Sequence, residues 1–175
     1  MEGKKKKKIL LAVFCLMLFL TGCGKEVKAS NLDIPGSYTV PQGWVLSEKH
    51  STDSQLFYIE EGREDDETPD NISIHVGKNN YSLEEHQQFR DAIVQQLLMQ
   101  LEGVEAQLNG SGTYTQQGEL LYIFTIDEGH VVTTQYYIVK DYGFCLIQLT
   151  NFSGSEAANR AAQEMADSFA WGQEG

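Results

Sequence analysis

Apolar residues recur along this chain in three periods, and each period predicts a different element. Between residues 82 and 101, Leu83, His86, Phe89, Ile93, Leu97 and Leu101 recur every three or four positions, which puts them on one face of a helix. Val94 and Leu98 widen that stripe. Ser82 with Glu85 three residues on forms a capping box at its start, and Gly103 stops it. A second stripe, Ala158, Ala161, Ala162, Met165 and Phe169, predicts a closing helix, opened by Ser153 with Glu156 as another capping box. Its alanines let it lie close to a sheet. Asn71 to Val76 alternates apolar and polar, the period of a half-buried strand, and Gln55 to Glu60 reads as the strand before it. Tyr38-Thr39-Val40 and Trp44-Val45-Leu46 are short extended segments either side of the turn Pro41-Gln42-Gly43. Further on, Thr113-Tyr114-Thr115, Leu120 to Ile126, Val131 to Lys140 and Phe144 to Thr150 are joined by turns so short that neighbouring strands must be antiparallel, a meander.

The strand at 120–126 is apolar on both faces: Leu121 and Ile123 on one, Leu120, Tyr122, Phe124 and Ile126 on the other. A sheet built on it needs cover on both sides. The expected fold is therefore α+β: an antiparallel meander covered by one helix per face, an α/β/α sandwich.

The third period is an unbroken apolar run, Ile9 to Leu20, preceded by five lysines, Lys4 to Lys8. That is the layout of a secretory signal, and the run is shorter than the roughly 20 residues that span a bilayer. Leu20-Thr21-Gly22-Cys23 follows it and resembles the lipobox of bacterial lipoproteins. The resemblance implies a signal peptide over residues 1–22 and a diacylglyceryl group on Cys23. Two acyl chains suffice to hold a protein on a membrane without spanning it. Residues 23–34 read as a lipidated N-terminus and polar tether, and 35–172 as a single domain. The expected location is the extracytoplasmic side of the cell membrane, or the outer membrane if the cell has one. Membrane lipid is then one partner, held through Cys23.

Removing residues 1–22, with their five lysines and one glutamate, takes the formal charge from −12 to −16. That repels phosphate backbones and argues against nucleic acid. Of three cysteines, Cys15 leaves with the signal and Cys23 carries lipid, so Cys145 has no disulfide partner. It sits in the apolar run Phe144-Cys145-Leu146-Ile147 with no basic neighbour, as a buried small hydrophobe rather than a reactive thiol. His50, His75, His86 and His130 show no metal-ligand spacing, and His86 falls on the apolar helix stripe as a core or boundary residue. Gly110-Ser111-Gly112 opens a strand rather than a helix, so it offers no phosphate cradle. No nucleophile elbow, phosphate loop or dinucleotide fingerprint occurs, and no cofactor and no catalytic residue is expected.

One segment is unusual. Between Glu60 and Asp70 lie seven carboxylates: Glu60, Glu61, Glu64, Asp65, Asp66, Glu67 and Asp70. The bland reading is a solvated hairpin loop. Oxygen-rich loops also bind calcium, which makes Glu64, Asp65, Asp66, Glu67 and Asp70 a candidate site, although the spacing is not that of a calcium hand. The alternative is a basic protein surface drawn to Asp65, Asp66 and Glu67, with Trp44, Tyr58 or Tyr38 as aromatic anchors beside them.

Tyr38 to Trp44, the capped helix opening at Tyr81-Ser82-Leu83, Tyr136 to Val139 through Leu146 to Thr150, and the ending Ser168-Phe169-Ala170-Trp171 together resemble the PsbP-like domains. That fold is named after an extrinsic subunit of photosystem II and is shared with a eukaryotic regulator of the Ran GTPase and with bacterial lipoproteins. The resemblance implies docking or assembly rather than catalysis, and no shared functional residue carries over. The expected function is thus a membrane-anchored, non-enzymatic interaction module with a protein partner. A small-ligand or metal-binding lipoprotein is the alternative, with Tyr81, Tyr114, Tyr122, Tyr136, Tyr137 and Phe144 available to line a pocket. As strand residues, aromatics are more often core.

Overall fold

The computed structural model describes residues 34–172. The expected signal peptide, Cys23 and the expected tether through residue 33 lie outside the described residues. Within them, nine strands and two α-helices follow one another: β1 (Gly36–Ser37), β2 (Trp44–Leu46), β3 (Leu56–Glu60), β4 (Asn71–Lys78), α1 (His86–Gln100), β5 (Gln107–Tyr114), β6 (Leu120–Asp127), β7 (Val132–Lys140), β8 (Gly143–Asn151), α2 (Glu156–Asp167) and β9 (Ala170–Trp171). A 3-10 turn, Leu83–Glu85, leads into α1.

Seven strands form one antiparallel sheet in the order β2-β3-β4-β8-β7-β6-β5. The meander is therefore present as β5 to β8. Each face of the sheet carries one helix. Leu121, Tyr136, Ile138, Cys145, Ile147, Leu149, Ile72 and Ile74 pack with the alanine stripe of α2. Tyr122, Phe124, Ile126, Tyr137, Val139, Phe144 and Leu146 pack with Phe89, Ile93 and Leu97 of α1. The expected split of the 120–126 strand holds residue by residue. Cys145 is buried and free, and burial pushes its thiol pKa up.

Several local expectations are corrected. The closing helix is capped by Ser155, whose hydroxyl accepts from the Ala158 N–H at 3.2 Å, and not by Ser153. Ser153 instead donates its hydroxyl to Asp70. Leu83 lies in the 3-10 turn and is exposed, as is Leu98 on α1. Tyr38-Thr39-Val40 is not a strand. The pairing falls one step earlier, where Gly36–Ser37 meets Ala170–Trp171 in a separate two-stranded sheet that joins the two ends of the domain. Tyr38 is set instead by side chains: its ring stacks 6.5 Å from Phe169, and its hydroxyl lies 2.7 Å from that of Tyr58. The strand read as Thr113-Tyr114-Thr115 begins earlier, at Gln107, and contains Gly110 and Gly112.

Those glycines have a packing cause. Gly110 faces Phe124 and Gly112 faces Tyr122 across β5–β6, and a Cβ at either would meet the ring at 3.0 Å. Gly77 stands likewise opposite Phe144, where a Cβ would meet the ring at 2.3 Å. On the α1 face, therefore, three large rings each have a neighbouring strand position without a side chain.

Candidate functional site

The acidic segment is the connection between β3 and β4. Its start is fixed because the Glu61 N–H donates to the Gly43 carbonyl at 2.8 Å, on the turn before β2. The chain then folds on itself: the Arg63 N–H donates to the Glu60 carbonyl and the Asp66 N–H to the Arg63 carbonyl, each at 3.1 Å. Its end is fixed by Asp70. That carboxylate is buried and accepts from the Phe152 N–H at 2.7 Å, the Ser153 N–H at 3.0 Å and the Ser153 hydroxyl. Asp70 thus ties the β3–β4 connection to the turn between β8 and α2. Three hydrogen bonds commit the Asp70 carboxylate to holding the fold.

Between these two fixed ends residues 61–68 are exposed. They carry five carboxylates (Glu61, Glu64, Asp65, Asp66, Glu67) against one guanidinium. The Arg63 guanidinium pairs with Asp66, a hydrogen bond that raises the Arg63 pKa further. Glu64, Asp65 and Glu67 remain exposed to solvent. Among the described residues, no three His, Cys, Asp or Glu side chains come together in a way that could hold a metal ion.

The aromatic anchors proposed beside the loop are covered rather than exposed. Trp44 is only 8% exposed and Tyr58 only 6%, and both belong to the core under α2. The reason is strand register: Trp44 pairs with Glu60 and Tyr58 with Leu46, which turns both rings to the α2 face. Neither offers a ring to a partner. Tyr38 is half-buried and occupied by Tyr58 and Phe169.

The aromatics considered as a pocket lining divide the same way. Tyr122, Tyr136, Tyr137 and Phe144 are buried core, and burial, helped by Asp167, pushes the Tyr136 hydroxyl up to about 12. Tyr81 is half-buried, and Tyr114 is out in solvent. His86 sits at the boundary: its ring stacks 6.0 Å from that of Tyr122, and its Nδ1 lies 2.5 Å from the Tyr122 hydroxyl. Sequence reasoning missed the roles of Asp70 and Gly77, because each acts on a residue distant in the chain.

No family model matches this chain, and no curated protein matches it. Solved structures do. The solution structure of cyanobacterial PsbP (CyanoP) from Synechocystis sp. PCC 6803 is similar over 87% of this chain and 98% of that one, with 12% identity and a TM-score of 0.53. A crystal structure from Bacteroides thetaiotaomicron VPI-5482 matches over 80% of this chain and 46% of that one, with 16% identity and a TM-score of 0.45. The domain has the PsbP-like fold. At such identities the likeness describes the fold, and a fold does not specify a function.

Proposed function

We propose that this chain is a lipid-anchored extracytoplasmic module that works by docking another protein, without catalysis, and that the acidic β3–β4 loop is its contact surface. The observation that carries this reading is the construction of the loop. Its exposed carboxylates are concentrated on residues 61–68, and both ends are pinned, by the Gly43 carbonyl and by buried Asp70. A concentrated field on a held frame attracts a basic surface over distance and limits the ordering cost on contact. The anchor rests on the lysine run, the apolar run and Cys23. Among the described residues, no helix is long and apolar enough to cross a membrane.

The test is cross-linking on intact cells, read by mass spectrometry, with Cys23→Ala and with the combined Asp65→Asn, Asp66→Asn, Glu67→Gln variant. The expected result is one reproducible partner, captured less as salt rises, lost in the triple variant and lost when Cys23→Ala releases the protein from the membrane. Capture and salt dependence that survive the triple variant would dismiss the loop. A Cys23→Ala protein that stays with the membrane fraction would dismiss the anchor.

A further inference from the structure

The large sheet has two edges, and they are built differently. Strand β2 is three residues long and follows Pro41, a short edge that offers little to a second chain. Strand β5 is eight residues long, and among the described residues nothing pairs with its outer side. Its sequence, Gln-Leu-Asn-Gly-Ser-Gly-Thr-Tyr, has none of the usual protections: no proline, no lysine and no charge of any kind. Exposed edges of that kind are templates for strand addition.

We propose that β5 pairs antiparallel with β5 of a second copy of this chain, continuing the sheet through a two-fold axis at Ser111. One observation permits a second copy and two select it over another partner. The first is charge. The chain is strongly acidic, and β5 is an eight-residue strip on which two such copies meet without opposing like charges.

The second is self-complementarity. A two-fold axis normal to an antiparallel pair sets each residue opposite one on the same face of the sheet. Centred on Ser111, it places Leu108 opposite Tyr114, Gly110 opposite Gly112 and Asn109 opposite Thr113 of the partner copy. The first two pairs lie on the α1 face, because Leu108, Gly110, Gly112 and Tyr114 face Ile126, Phe124, Tyr122 and Leu120 of β6. Tyr114, 67% exposed in the single copy, gains an apolar partner. The Asn–Thr and Ser–Ser pairs fall on the other face as hydrogen-bonding neighbours.

The third is the flank of α1. Phe89 leans toward β7 and β8, against Tyr137 and Phe144, while His86 stacks on Tyr122 of β6. The row His86, Arg90, Val94, Leu98 therefore runs on the side of the helix nearer β5. Leu98 is 56% exposed there, and the only charges nearby on the helix, Arg90 and Asp91, pair with each other at 2.6 Å. The same two-fold axis keeps both α1 helices on one side of the joined sheet, so this apolar flank faces its symmetry mate. The surface is distinct from the acidic loop, and the proposal stands without the docking reading above.

The test uses the full chain in bacterial cells under a mild oxidant, read on non-reducing gels. Opposite residues of an antiparallel pair have Cα atoms about 4.5–5.5 Å apart, within reach of a disulfide. Ser111→Cys is expected to give a disulfide-linked dimer several-fold stronger than Thr68→Cys, which is also exposed, on the acidic loop, and carries the same native cysteines. Adding Tyr114→Lys to Ser111→Cys is expected to reduce the dimer several-fold, while circular dichroism shows an unchanged fold. Equal cross-linking at positions 111 and 68 would overturn the proposal. So would a Ser111→Cys adduct with a different protein in place of the dimer, or a dimer insensitive to Tyr114→Lys.

Discussion

The two faces of the sheet reach the same degree of burial by opposite chemistry. Under α2 the helix offers Ala158, Ala161, Ala162 and Ala166, all buried, and lies close against β8. Under α1 the helix stands further from every strand, and the gap is filled by rings. Phe89 lies 5.5 Å from Phe144 and 6.0 Å from Tyr137, and Phe124 lies 5.9 Å from Tyr137. Small side chains let backbones approach, while large ones hold them apart and recover the contact through their own area. The rings also need sideways room, and Gly77, Gly110 and Gly112 provide it on adjacent strands. A glycine in a strand here is thus the other half of an aromatic residue across the ladder.

If the faces differ in this way, truncation should hurt the α1 side most and enlargement the α2 side. Phe89→Ala leaves a ring-sized gap beneath α1, and is expected to cost about 3–5 kcal/mol. Urea unfolding measures it, and a loss under about 1 kcal/mol would show that α1 can settle onto the sheet. Ala162→Leu forces α2 away from β8 and is expected to cost about 1–3 kcal/mol, while the same change at half-buried Ala92 on α1 stays within about 0.5 kcal/mol. Equal costs at the two alanines would erase the distinction.

The smallest effect concerns how the two helices begin. The Glu85 carboxylate accepts from the Ser82 N–H and the Ser82 hydroxyl, each at 3.0 Å, ahead of α1. These bonds lower the Glu85 pKa below its ordinary 4.5. The sign follows: a depressed carboxylate stabilises the fold above its unfolded pKa, and that stabilisation is lost as pH falls through the folded value. Ser155, a neutral hydroxyl, caps α2 without such a dependence. Glu85→Gln should therefore lower the Tm slightly at neutral pH and make no difference well below pH 4.5. Thermal scans of both proteins at the two pH values check it, and a gap that persists in acid would place the effect elsewhere.

Much of this was legible beforehand. The meander, both helix stripes, the face assignments of residues 120–126 and the burial of Cys145 follow from periodicity and short turns, which are local properties. What failed had a common cause. Trp44 and Tyr58 read as anchors near the acidic loop until strand pairing turned them to the core. Gly110-Ser111-Gly112 reads as the approach to a strand at Thr113 until Phe124 and Tyr122 are seen opposite its glycines, within β5 itself. Ser153 fits a cap by spacing, yet Asp70, a distant residue, takes it. The acidic segment was visible by its density, but its held frame was not.

By itself the amino-acid sequence determined the main strands and both helices, their antiparallel order and the two-sided burial, because each depends on neighbours within a few positions. Only the tertiary structure decided which aromatics are covered, which carboxylate serves the fold, and which sheet edge is left open. Those depend on what lies across a strand pair or a turn, and residues such as Asp70 and Ser153 become neighbours only once the chain has folded.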